Sequence, residues 1–204
     1  KSVSDAYPTA HKLYRLKAKL MSLPKLASHD LTVDLKGSKQ TFTFDQGVEI
    51  VRSAFLKVDP TYAKILDDYV SNGQIDVYPR QGKQGGGYCW SGHGRPTYIL
   101  LNWTDDLDSV MTLAHEMGHA IHGELSKTQG VLYSGHPIST AETASTLFEN
   151  FVFQEIMQRL SPKERLYATY NKLQTAASTV FRQIAWFQAE QEIHEKVRAN
   201  GRIT

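Results

Sequence analysis

The run His115-Glu116-Met117-Gly118-His119 constrains the fold of this chain more than any other stretch. Side chains four positions apart meet on one face, within a turn of each other, when the backbone is an α-helix. So placed, two imidazoles can converge on one metal ion at about 2.0–2.1 Å. Glu116 follows the first His and stands beside such an ion without ligating it, where it can take a proton from an activated water. Ala114, Gly118 and Ala120 are small, so a second element can pack closely on this helix. The alternative is a surface helix that carries two His and one Glu by chance. It leaves unexplained both those small residues and the strand pattern upstream.

That strand is the clearest in the sequence, Pro96 to Trp103, and Thr104 through Asp108 offers caps for the metal helix, which should end before Gly130. Residues 9–22 form an amphipathic helix through Leu13, Leu16, Leu20 and Met21, stopped by Pro24. Thr41-Phe42-Thr43-Phe44 alternates like a short strand, after which Asp45 caps a helix through Val48, Val51 and Phe55. Asp59-Pro60 opens another helix, closed by Asn72-Gly73. Residues 80–96, with Gly85-Gly86-Gly87, form a loop or hairpin tip. Ser139-Thr140-Ala141-Glu142 has the form of a capping box for a helix reaching about Leu160. Ser161-Pro162-Lys163-Glu164 repeats the device for one long helix that Asn200-Gly201 ends. The fold class is therefore mainly α with a small β-sheet beside the metal helix. Residues 1–204 make one domain, partial because Lys1 opens on an already helical pattern.

A catalytic metal needs a third protein ligand and an open position. His122 lies on the same face as His115, but about 10.5 Å along the axis, so three imidazoles on one unbroken helix converge poorly. Zinc enzymes with a third His break the helix at a glycine; here His122 and Leu125 occupy the glycine and His positions. Glu142, in the first turn of the next helix, is the better candidate, and the capping box is its competing account. Ala141, Ala144 and Ser145 beside it are small. Glu149, seven residues on, can fix the tautomer of a ligand His or serve as an ordinary salt-bridge partner.

Composition excludes several other functions. At 41% hydrophobic and 22% charged residues, with a net charge of +2, the chain has no concentrated basic surface for nucleic acid or an anionic membrane. No apolar run approaches the roughly 20 residues that span a bilayer. The single Cys89 cannot form an internal disulfide and suits a reducing cytoplasm; it is a packed residue rather than a nucleophile. The triple glycine lacks the context of a phosphate cradle and is expected to be a flexible flap or a plain turn. His93 and His136 sit in loops, where most histidines are simply solvated. Nothing in the sequence sets an oligomeric state.

The spacing from His115 to Glu142, and the run Glu142-Thr143-Ala144-Ser145-Thr146-Leu147-Phe148-Glu149-Asn150, resemble oligoendopeptidase F, a bacterial branch of the thimet oligopeptidase group of zinc peptidases. Val77-Tyr78-Pro79-Arg80 with the glycine-rich loop, and Leu13 to Leu20, extend the likeness over most of the chain. The resemblance implies cytoplasmic hydrolysis of short peptides at internal bonds, with Zn2+ held by His115, His119 and Glu142 and with Glu116 as general base. It also implies a longer protein, whose Tyr- and His-bearing segment would lie beyond Thr204; Tyr133, His136 or His93 would be the stand-ins within the chain. The strand Tyr98–Trp103 is expected to pair with the main chain of an extended peptide. Two rivals remain. A zinc carboxypeptidase of similar build would use Arg80 or Arg95 to hold a free carboxylate. A noncatalytic zinc-bearing module would leave Glu116 without a purpose, and structural zinc more often uses Cys.

Overall fold

The computed structural model describes residues 2–33, 35, 40–92 and 94–202. They fall into two compact units, residues 39–160 and residues 1–38 with 161–204. In chain order the helices are α1 Ser2–Asp5, α2 Tyr7–Leu20, α3 Phe44–Val58, α4 Pro60–Ser71, α5 Leu107–Ser126, α6 Ile138–Met157, α7 Pro162–Ala177 and α8 Gln183–Asn200. The strands are β1 Ile75–Asp76, β2 Tyr88–Trp90 and β3 Tyr98–Leu100. Among the described residues no helix is long and apolar enough to cross a membrane.

In the unit of residues 39–160, α5 is buried along a helical stripe, Val110, Leu113, Ala114, Met117, Ala120 and Ile121, all without solvent exposure. Asp106 caps it, its Oδ1 accepting from the Ser109 N–H at 2.8 Å. α6 lies directly against α5. At the crossing a Cβ on Gly118 would stand 2.7 Å from the Ser145 Cα, closer than atoms pack, so only glycine permits this approach. α3 closes the core from the other side, where Phe55 meets Phe148 edge to face with ring centres 5.2 Å apart.

Thr41-Phe42-Thr43-Phe44 is not a strand. The Phe42 N–H bonds the Asp105 carbonyl at 2.9 Å, and the Phe42 carbonyl accepts from the Trp103 indole at 3.0 Å. Thr43 rather than Asp45 is the N-cap of α3, in a reciprocal box with Gln46. The alternation arose from anchoring, with Phe42 buried and Phe44 edge-on to Trp103, rather than from sheet pairing.

The sheet order is β1-β3-β2, with β1 parallel and β2 antiparallel to β3. The expected strand at Pro96–Trp103 shortens to Tyr98–Leu100, and part of the expected loop, Tyr88–Trp90, is one of the two edge strands. β3 is the middle strand, so it has no free edge to offer a peptide.

Glu155 ties α6 to α3. It is 7% exposed and accepts hydrogen bonds from Ser53 Oγ at 3.2 Å, from Arg159 at 3.3 Å and from Lys57. The Lys57 bond, then those from Arg159 and Ser53, hold its carboxyl below the ordinary value of 4.5. The folded protein thus binds this proton more weakly than the unfolded chain, so the cluster stabilises the fold above that value and the contribution is lost as pH falls through the lowered one. Glu155→Gln is expected to cost about 1–3 kcal/mol at pH 7. Urea titrations should show parent and variant converging in acid; a gap independent of pH would assign the loss to packing instead.

In the other unit, Ser161 and Glu164 form the expected capping box of α7. α7 and α8 are joined through a single wider turn, Ser178–Arg182, and Gly201 ends the run with φ of +73°. α2 and the segment after it are linked where Lys17 Nζ donates to the Leu31 carbonyl at 2.9 Å.

Candidate metal centre

α5 presents His115 and His119 one turn apart, their ring centres separated by 4.9 Å. Glu142 enters from the first turn of α6. Its Oε2 lies 3.3 Å from His115 Nε2 and 3.8 Å from His119 Nε2, and the three donor atoms all fall within 4.8 Å of one another. Ligand atoms held at about 2.0–2.1 Å from one ion in tetrahedral geometry stand about 3.3 Å apart. The His115–Glu142 separation matches that spacing and the His119–Glu142 separation is somewhat longer, so a small divalent cation that accepts nitrogen and oxygen donors would draw the three side chains slightly together.

The competing account of Glu142 does not hold. α6 begins at Ile138 after Pro137, and no side chain caps it, so Ser139 and Glu142 form no box. Proline ahead of the helix sets the chain entry, and the Thr140 and Ala141 N–H groups turn back to the Pro137 carbonyl at 3.0 and 3.1 Å. Glu142 instead accepts from the Ser145 hydroxyl at 3.0 Å. Ser145 is fully buried under Gly118, and its hydroxyl also lies 3.1 Å from the Glu142 backbone carbonyl.

Glu149 lies 3.4 Å from His115 Nδ1, on the side of the ring away from Glu142. That bond favours charge on His115, against the opposing effect of burial. His122 stands outside the donor set; its ring lies 4.2 Å from that of His136, and its Nδ1 is buried without a partner among the described residues. Tyr133 is 77% exposed, and His93 lies outside the described residues. Arg80 is committed to Asp76 at 2.7 Å. Arg95 lines a cavity of about 430 Å³ with Tyr69 and Glu124.

Glu116 is 6% exposed and faces the edge strand. Burial pushes its carboxyl up to about 7, helped by the charge of Glu142 and opposed by His115 and a backbone hydrogen bond from Cys89. A cation at the three donors would favour the ionised form. The source of the backbone bond follows from the ladder. The Ile99 and Leu101 N–H groups turn toward β1, to Gln74 and Asp76. Tyr98 and Leu100 therefore exchange bonds with Trp90 and Tyr88, which leaves the Cys89 N–H and C=O on the open side of β2. Cys89 itself packs inward, and burial raises its thiol to about 12, so it is no nucleophile at neutral pH.

The glycine-rich loop is fastened by side-chain hydrogen bonds. Lys83 and Asn102 hold its carbonyl groups, contacts that periodicity and motif spacing could not reveal. The only signal for them was composition, a lysine among glycines.

The sequence model of peptidase family M3 matches residues 3–204. The chain is 30% identical to oligopeptidase PepF of Bacillus subtilis, over 100% of this chain and 31% of that protein. It is also 30% identical to the chromosomal oligoendopeptidase F of Lactococcus lactis subsp. cremoris, over 96% of this chain and 33% of that one. The crystal structure of a proposed peptidase from Chlamydophila abortus superposes with a TM-score of 0.79 at 26% identity, covering 96% of this chain and 33% of the other. The chain thus spans about a third of the length of the curated relatives it matches.

Proposed function

The chain belongs to peptidase family M3, and from that premise we propose that it is the zinc-binding catalytic part of a cytoplasmic oligoendopeptidase that hydrolyses internal bonds of short peptides. His115, His119 and Glu142 hold the zinc, and Glu116 is the general base. The observation that carries this reading is the donor set, three side chains from two packed helices at separations that suit one tetrahedral ion. When bound, the zinc would polarise the scissile carbonyl and acidify the attacking water.

Glu116 takes the proton from that water and passes it to the leaving amine nitrogen. The Cys89 backbone beside it favours its ionised form. Glu149 accepts from His115 Nδ1 and so keeps the Nε2 lone pair toward the site. The open edge of β2, rather than β3, is where a substrate main chain can add as a further strand. Main-chain capture is tolerant of side chains, which suits a general oligopeptidase, and the names of the relatives support short peptides. The carboxypeptidase alternative loses one of its two candidate cations, since Arg80 already pairs with Asp76.

Metal analysis of the purified chain, with a digest of peptides blocked at both ends, tests this reading. Zinc should be stoichiometric, lost in Glu142→Ala and largely retained in His122→Ala. An empty site in His122→Ala with a full one in Glu142→Ala would overturn the ligand set. Cleavage that requires a free carboxyl terminus would favour the carboxypeptidase.

A further inference from the structure

The segment between β1 and β2 is held by two side chains that the proposed chemistry does not use. Lys83 has only 1% of its side chain exposed, and its ammonium donates to the Asp76 carbonyl at 3.0 Å, to Asp76 Oδ1 at 3.1 Å and to the Tyr78 carbonyl at 2.8 Å. A buried ammonium is costly unless all its hydrogens find acceptors, and here three are supplied at the root of the loop. Arg80 and Lys83 together draw the Asp76 carboxyl down to about 2. At the far side of the loop, the Asn102 amide nitrogen donates to the carbonyls of Gln84 and Gly86, at 2.8 Å each. Gly82 and Gly86 turn the chain with φ of +80° and +82°, which only glycine adopts readily.

What these clamps deliver is a close approach to the base. A Cβ on Gly87 would lie 2.7 Å from Thr112 Cγ2 and 3.2 Å from Glu116 Oε1. Thr112 sits one turn before Glu116 on α5, and its hydroxyl bonds the Asp108 carbonyl at 2.8 Å, so its methyl group cannot swing aside without breaking that bond. Two residues after Gly87, the Cys89 backbone lies on the side of β2 that faces the Glu116 carboxylate and favours its ionised form.

We propose that Lys83 and Asn102 are positioning residues for Glu116: they fasten the glycine-rich loop so that the Gly87–Cys89 backbone lies against its carboxylate. The same clamps aim the open edge of β2 along α5. The inference rests on the reading of Glu116 as the base.

The test is made in the enzyme that carries this chain, with zinc content and circular dichroism recorded for every variant. Gly87→Ala is expected to lower kcat by about 10²-fold, the scale of an ångström-sized misplacement, with KM within about twofold and zinc unchanged. Adding Thr112→Ser removes the obstructing methyl and keeps the hydroxyl bond, and it should restore at least about tenfold of that loss. Asn102→Asp keeps the shape but sets a carboxylate against two carbonyls; kcat should fall about tenfold or more at full zinc loading. Lys83→Met should act in the same direction, and if it fails to fold, the Asn102 and Gly87 variants decide.

No rescue by Thr112→Ser, or an unchanged kcat in zinc-loaded Asn102→Asp, would overturn the proposal, as would losses confined to KM. Glu116→Gln keeps the two readings apart. Near-normal turnover in that variant removes the base itself, whereas a strong loss there beside unaffected loop variants removes this inference alone.

Discussion

Glu116→Gln is expected to lower turnover by about 10²–10⁴-fold with zinc still bound, the range for a positioned acid–base group. The amide keeps the shape of the carboxylate, and its oxygen can still face the Cys89 backbone. It has no affinity for the proton that the attacking water must release. Glu116 lies outside the three-donor cluster, so metal content should match the parent. Steady-state kinetics on a quenched internal-bond peptide, at equal zinc loading, measures the effect. A Gln variant within a few-fold of the parent would remove Glu116 from the mechanism.

Gly118→Ala is the second large effect, and its sign is informative. In an unobstructed helix interior, alanine stabilises by roughly 1 kcal/mol over glycine. Here the added Cβ would meet the Ser145 Cα at 2.7 Å, the Phe148 Cβ at 3.1 Å and the Ala144 carbonyl at 3.2 Å. Two of those contacts are backbone, so relief requires α6 to move away from α5. Overpacking of this kind costs about 1–3 kcal/mol. The displacement also carries Glu142 away from His115 and His119, because they belong to different helices. Both stability and zinc affinity should fall. Urea unfolding with a chelator present isolates the packing cost, and a metal-binding titration measures the second loss. An unchanged unfolding midpoint with full zinc affinity would mean that α6 has slack the structure does not show.

The likeness to oligoendopeptidase F is borne out by the family match and by relatives over the whole chain. Several elements were legible because one local interaction defines each. The Asp59-Pro60 start and Asn72-Gly73 stop of α4, the Ser161–Glu164 box and the terminating Gly201 are set within four residues. Such signals misled where a tertiary partner competed. Ser139-Thr140-Ala141-Glu142 has the letters of a capping box, but Pro137 starts the helix earlier and Glu142 turns to the histidines. Phe42 and Phe44 alternate as in a strand, yet their partners are Trp103 and Asp105, far along the chain.

That two imidazoles and a carboxylate share one stretch of helix follows from the residues alone, because a four-residue spacing and a helical pitch are local properties. How their partners come to meet them depends on tertiary packing. Glu142 joins the pair because Gly118 and Ser145 let two helices touch. Cys89 lies toward Glu116 because β2 is an edge strand and β3 is not, and Lys83 and Asn102 hold the loop that leads to it. Such contacts depend on which surfaces fit after the chain has closed on itself, and no periodicity along the chain encodes them.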